Sequence, residues 1–385
     1  MSKTIGSLGL LEPQQHCGRN RACRASGRTG EGHVVIHRRV ERRYHGKRCR
    51  RTFAETAGTA LDRRRTARDQ VEVVVTLLAY GCPIQAIVAA FGVDDRTVAR
   101  WQARAGAQSQ RGHEQLVQAG RVELGQVQAD GLRVRIVGGG LGLASAIAVP
   151  RRLWLGGAVS ATRDRALIRG RLACVRAWGP VQGRRLCTDG LASSPSQALR
   201  RCRTPERTGR RGRPHLLLAT GLLIAQPIKR YPQRRVASVE HRVVVGSADA
   251  GAAALIRTQG RPTAVITTAD IERLNATCRA RRASLTRRRR AGVHRPATRD
   301  AGMWLVGAVD HCCRPHRSLR RRRAVAGSPV ARWAEHTPAQ AAGLTDRRWS
   351  VPDRLRCPVP GPGVRRRGRR PQWLLDAARA AGHAA

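Results

Sequence analysis

Apolar residues recur at helical spacing most clearly between residues 66 and 106. Val71, Val74, Val75 and Leu78 fall on one face of a first helix. Gly81 and Pro83 interrupt the pattern, and Pro83 suits the first turn of a second helix with Ile84, Ile87, Val88 and Phe91 inward. Gly92 supplies a tight turn, and Asp94 or Asp95 can cap a third helix carrying Val98 and Trp101. Helix, glycine turn and helix together make a helix-turn-helix pattern.

Beyond a linker at 107–122 the periodicity changes to short apolar runs. Val127 to Val137 reads as a strand and turn, and Leu141 to Val149 and Leu153 to Val159 as strands broken at Pro150-Arg151-Arg152. Ala166 to Trp178 is patterned as an amphipathic helix, and Val181 to Thr188 leads to a strand ending at Asp189-Gly190. Strands alternating with helices predict a mixed α/β domain over 123–320. Residues 203–214 read as an exposed loop, and 215–262 are too weakly patterned to place. Ala269 to Leu285 and Met303 to Cys313 read as helices. From 321 to 385 the chain is basic and rich in proline and glycine, so a poorly ordered tail is expected, with a short helix around Trp373 to Ala381.

Charge changes this picture. The chain has 385 residues with 74 lysines and arginines against 25 aspartates and glutamates, a formal net charge of +49. Only Lys3, Lys47 and Lys229 are lysines, so GC-rich coding contributes to the arginine bias. A surplus of this size is most readily relieved by phosphate, with counterion release. In that context Arg96, Thr97 and Arg100, with Gln102 beside them, are candidates to meet phosphates or base edges from the third helix. Aromatic residues are only 3% of the chain, which argues against extensive base-stacking platforms. The N-terminus has no apolar signal core and no long apolar run is present, so a cytoplasmic, nucleoid-associated protein with no membrane segment is expected.

Residues 1–60 carry Cys17, Cys23 and Cys49 among arginines and histidines. Tyr44 to Phe53 has the shape of half a zinc ribbon, but Gly46 stands where a second cysteine would complete Cys-x-x-Cys with Cys49. Either Cys17, Cys23, His45 and Cys49 hold zinc, or the segment is a degenerate ribbon without it.

Carboxylates are scarce, which makes Asp130 and Asp189, each ending a strand-like run, and Glu272, early in a helix, conspicuous. Two aspartates and a glutamate suffice to anchor Mg2+ (or Mn2+), and phosphodiester chemistry uses paired ions roughly 3.5–4 Å apart. Read singly, each is an ordinary turn, cap or solvated helix charge. The long separation of Asp189 from Glu272 calls for extra elements between them. A covalent serine or tyrosine nucleophile has no convincing setting.

Gln128-Ala129-Asp130, Thr188-Asp189-Gly190-Leu191-Ala192-Ser193 and Ile271-Glu272-Arg273-Leu274-Asn275-Ala276-Thr277 resemble the three catalytic motifs of bacterial DDE insertion-sequence transposases. Arg314-Pro315-His316-Arg317-Ser318-Leu319 resembles a downstream segment of that group, and the ribbon-like and helix-turn-helix segments stand in the expected order. The resemblance covers roughly residues 15–350. It implies a ribonuclease-H-like mixed sheet with flanking helices, cleavage at transposon ends and strand transfer into target double-stranded DNA by a homo-oligomer. Asp130, Asp189 and Glu272 would then be the catalytic, metal-binding triad. Arg273, Asn275 and Arg279 would support the glutamate helix or contact DNA. Departures are Gly131 where many relatives carry Glu, Ser194-Pro195 in place of an aromatic-containing helix start, and Asp310-His311 in place of Tyr-Asn. They point to a diverged or decaying copy with its triad intact. The alternative is a non-catalytic DNA-binding protein: an inactive remnant or a helix-turn-helix regulator.

Overall fold

The computed structural model describes residues 13, 23–25, 30–119, 122, 124–136, 139–160, 165–178, 183–188, 193–206, 213–230, 232, 236–247, 249, 266–281, 296–325 and 328–359. A small antiparallel meander comes first: β1 (Val34–Arg38), β2 (Arg43–Gly46) and β3 (Arg51–Ala54), closed around Val34, Tyr44 and Phe53. Glu55, just after β3, accepts hydrogen bonds from Arg42 (2.7 Å) and from Arg68 at the start of the next helix. These guanidinium groups hold the Glu55 carboxyl down to about 2 despite its partial burial.

Three helices follow: α1 (Arg68–Ala79), α2 (Ile84–Phe91) and α3 (Asp95–Ala119). Val71, Val74, Val75 and Leu78 are buried as the periodicity predicts, with Ile87 buried and Ile84, Val88 and Phe91 packed at the margin. Gly92 ends α2 at φ 61°, a left-handed position that suits glycine. Asp94, not Asp95, caps α3: its carboxylate accepts from the amides of Arg96 (3.0 Å) and Thr97 (3.2 Å). The linker expected at 107–122 is instead helix as far as Ala119.

A six-stranded mixed sheet forms the second part. Its strands are β4 (Gln126–Ile136), β5 (Gly139–Ala148), β6 (Leu153–Ser160), β7 (Arg185–Thr188), β10 (Leu223–Arg230) and β11 (Ser238–Val245), in the order β11-β10-β7-β4-β5-β6. β4, β7 and β10 run parallel; β5, β6 and β11 are antiparallel to their neighbours. Helix α4 (Arg165–Ala177) and α5 (Ser193–Arg201) cover one face, where Val127, Ala129, Leu186 and Ile224 meet Ile168, Leu172 and Ala198. Two helices cover the other, α6 (Ala269–Arg281) and α7 (Pro296–Cys312), packing Ile271, Leu274, Met303 and Trp304 on Leu143, Ile147 and Trp154. The weakly patterned 203–262 region supplies β10, β11 and a separate hairpin, β8 (Arg203–Glu206) with β9 (His215–Leu218), so the first residues of the expected 203–214 loop are strand.

Beyond α7 the chain is more ordered than its composition predicts. It forms a ribbon of β12 (Arg321–Val325) and β13 (Ser328–Ala334), then α8 (Pro338–Ala341) and α9 (Val351–Arg356), each of these short helices begun by a capping box. Val351 and Leu355 join the core of α1–α3 together with Leu305 and Val309 of α7. The expected boundaries at 106 and 321 are therefore not packing boundaries. The rest of the expected tail, with the helix around Trp373, lies outside the described residues.

Two glycines let α7 fit between α3 and the sheet. A Cβ on Gly106 would lie 2.1 Å from the Ala301 carbonyl oxygen, and one on Gly307 would lie 2.3 Å from the Trp154 ring. At this seam His113 of α3 sits within 5.2–5.5 Å, ring to ring, of Trp154, Trp178, Trp304 and His311. Its Nε2 meets the Leu155 carbonyl at 3.2 Å. Burial holds the His113 imidazole down to about 4, and His311 is also held well below its ordinary value, with the nearby Arg354 guanidinium adding to both. An unfolded chain takes up these protons near pH 6.5, whereas the folded one resists them. Stability is therefore expected to fall as pH drops below about 6.5, by roughly 1.4 kcal/mol per pH unit for each histidine kept neutral. Urea midpoints followed from pH 7 to 5 would check this; a flat profile would contradict the neutral pair.

Candidate active site

Strand β4 alternates in a way that builds the site. Val127 and Ala129 face α4, whereas Gln128 and Asp130 face α6 and α7, because successive side chains leave a strand on opposite sides. The apolar sequence around them fixes the register, since a one-residue slip would bury Asp130 among aliphatics.

Gln128 is fully buried and anchors α6. Its carbonyl oxygen accepts from the amides of Asp270 and Ile271, both at 3.0 Å, and its Nε2 donates to Asp270 Oδ2 at 3.3 Å. A strand side chain thus satisfies two of the amides that a helix N-terminus leaves open. Asp270 also pairs with Arg152, whose backbone at the β5–β6 turn is left-handed (φ 53°) and whose Nε donates to Ser318 Oγ.

One turn further along α6, Asn275 is 3% exposed and bridges the sheet. Its Nδ2 donates to Asp130 Oδ2 (2.8 Å), and its Oδ1 accepts from Ser145 Oγ (3.1 Å). Ser145 stands directly opposite Asp130 in the β4–β5 register. Asp130 Oδ1 accepts from the Gly131 amide at 2.7 Å. Asn275 is thus oriented on a carboxylate inside the protein, which fits the first of its two expected roles, support of the glutamate helix, and not a contact with DNA.

Glu272 lies on the exposed side of the same helix. Its Oε1 accepts from Lys229 Nζ of β10 (2.6 Å) and from Thr268 Oγ1 (2.8 Å). Thr188, the last residue of β7, pairs with Ala129, the residue before Asp130. Asp189 lies outside the described residues. The structure thus joins Asp130 to the helix of Glu272 through Asn275. Among the described residues, no three His, Cys, Asp or Glu side chains gather as one metal-holding group.

Arg273 is exposed and borders a cavity of about 220 Å³ with Arg152, Arg314, His316 and Arg317. Asp310 in its wall is paired with Arg314 at 2.8 Å. His316 Nδ1 accepts from the Ser318 amide (3.3 Å), and burial, with Arg152 close by, holds its imidazole below the ordinary value. Arg279 is half-buried further along α6.

Arg96 and Arg100 are exposed on the first turns of α3 with Thr97 half-buried, whereas Gln102 is buried, so it does not join them. In the meander, a Cβ at Gly46 would lie 3.0 Å from Cys49 Sγ, a tight contact that a side chain at this position would have to relieve. His45 is on β2, Cys49 Sγ donates to the Gly46 carbonyl oxygen at 3.8 Å, Cys23 is half-buried, and Cys17 lies outside the described residues. No described helix is long and apolar enough to cross a membrane.

The chain matches no family model and no curated protein.

Sequence reasoning named Gln128 only as part of the motif ending at Asp130, with no role of its own, and did not identify Ser145, Arg152, Thr268 or Lys229 as parts of the site. Lys229 carried a signal, as one of three lysines in an arginine-rich chain. Gln128 carried another, as a polar residue inside an apolar strand two positions before a carboxylate. Replacing Gln128 with Ala leaves two buried amides without an acceptor, each costing about 1–3 kcal/mol. Faster amide exchange at Asp270 and Ile271 is expected, with roughly a 10- to 100-fold loss of any activity that depends on Glu272. Unchanged exchange at both amides would refute the anchoring role.

Proposed function

We propose that the chain is a DNA transposase of the DDE type, cutting at transposon ends and joining the freed 3′-hydroxyl to target DNA. The observation that carries this reading is the Asn275–Asp130 hydrogen bond (2.8 Å), which ties two of the three sequence motifs together across the sheet. Further support comes from the strand order β6-β5-β4-β7-β10, with three antiparallel strands followed by two parallel ones. That order is compatible with a ribonuclease-H-like sheet, with β11 as an added edge.

Asp130, Asp189 and Glu272 would hold Mg2+ or Mn2+, since an all-oxygen carboxylate set suits hard divalent ions. When bound, such ions supply charge stabilisation to the attacking and leaving oxygens of the phosphodiester. The protein's own residues would do the rest. Asn275 orients the Asp130 carboxylate, Gln128 fixes the start of the Glu272 helix, and Lys229 balances Glu272 and offers its ammonium group to a neighbouring phosphate. Arg273, Arg279, Arg314 and Arg317 would hold the DNA backbone, and Arg96, Thr97 and Arg100 would engage duplex from α3.

One observation favours the rival reading, a DNA-binding protein without catalysis. Lys229 and Thr268 both engage Glu272 Oε1, so the carboxylate already has a cationic partner within the fold. A strand-transfer assay with DNA carrying the element's own ends separates the two. Products that need Mg2+ or Mn2+ and disappear with a chelator support the transposase. Tight binding without products under those conditions supports the rival.

A further inference from the structure

Among the described residues the β12–β13 ribbon pairs with no other sheet, and it carries an aromatic side chain that the core does not use. Trp333 is 54% exposed, while Trp101, Trp154, Trp178 and Trp304 are all buried. In a chain with 3% aromatic residues, an indole left in water forgoes a large burial gain. Its neighbours are cations. The guanidinium carbon of Arg320 lies 5.2 Å from the ring centroid and that of Arg322 lies 5.8 Å away, Arg322 standing directly opposite in the strand register. Arg317, Arg321 and Arg332 are exposed nearby. Neither strand contains an aspartate or glutamate, and Glu335, just beyond, lies 3.8 Å from Arg348.

From this arrangement we infer that the ribbon is a binding site for unpaired nucleotides, with a base stacked on Trp333 and the flanking phosphates on Arg320, Arg321 and Arg322. A duplex base is already stacked above and below, so only an unpaired base offers its face to the indole. Base–aromatic stacking combined with a basic track is how proteins hold single strands without reading their sequence. An exposed indole between guanidinium groups supplies both parts. Duplex DNA alone would use the arginines and leave the indole without a role. The inference rests on the reading of the chain as a DNA-acting protein, and it adds a preference for DNA with an unpaired segment.

The test compares the full-length protein on a short blunt duplex and on the same duplex with a short 3′ single-stranded extension, in chelator so that no cleavage occurs. Trp333→Ala is expected to lower affinity for the extended DNA by roughly 5- to 100-fold while leaving the blunt duplex nearly unchanged. Trp333→Phe should keep most of the preference, since a smaller aromatic face remains. Arg320→Ala with Arg322→Ala should weaken both and flatten the salt dependence. If Trp333→Ala leaves the ratio of the two affinities at its wild-type value, the site is not there. A change in self-association without DNA, with that ratio unchanged, would assign the patch to contacts between copies and overturn the inference. No binding of the wild-type protein to either DNA would instead defeat the underlying reading of the chain.

Discussion

Asp130→Asn and Glu272→Gln are each expected to lower metal-dependent DNA cleavage by on the order of 10²- to 10³-fold or more, with duplex binding held near wild type. Both substitutions keep shape and remove charge. An asparagine at position 130 can still offer its one oxygen to Asn275 Nδ2 and keep the bridge from α6 to the sheet, at the cost of the side-chain acceptor that Oδ1 gives the Gly131 amide. A glutamine at position 272 still accepts from Thr268, and the lost ion pair with Lys229 is partly exposed, a kind of pair that contributes little to stability. The fold should therefore stay intact and the loss should report mainly the missing charge. Asp189→Asn belongs in the same series by its sequence motif. Full Mg2+-dependent cleavage by the triple variant would remove the catalytic assignment. Thermal melts alongside the assay would show whether any loss comes from unfolding.

Gly106→Ala is expected to cost about 2 kcal/mol or more in stability, although alanine is the better helix former by about 1 kcal/mol. The reason is the crossing of α3 on α7, where a Cβ would lie 2.1 Å from the Ala301 carbonyl oxygen and 2.5 Å from its Cα. Those atoms are helix backbone and cannot rotate away, so the helices must separate. Separation would loosen Trp101 and Ala105 from Leu305 and Val309, and close-packed contacts weaken quickly with distance. A lowered urea midpoint with an unchanged slope is the expected signature. A midpoint at or above wild type would mean that helix propensity outweighs the contact.

Both expectations depend on features with different visibility in the chain. The helix-turn-helix stretch was legible because its buried residues repeat within one segment: Val71, Val74 and Val75 bury as their spacing predicts. The strands around Asp130 were legible because apolar runs of strand length are bounded by turns. By contrast, residues 203–262 hide β10 and β11, whose side chains alternate too weakly to announce a strand, and β11 is an exposed edge. The region after 320 looked like a basic tail because arginine and proline dominate it. Its order comes from a few buried residues, such as Val351 and Leu355, that meet partners far away in sequence. Local composition carries no record of such partners.

By itself the sequence determined the elements whose patterning is local and the residues they could present: a helix-turn-helix pattern, the strands around Asp130, scarce carboxylates and a large positive charge. Those properties reside in single segments, where spacing of 3.6 or 2 residues decides what is buried. Only the tertiary structure decided that Gln128 holds the start of α6, that Asn275 turns inward to Asp130, that Lys229 meets Glu272, and that Trp333 stays outside. Each of the three pairings joins segments far apart in the chain. The chain can specify them only through the sheet register and helix packing that bring those segments together.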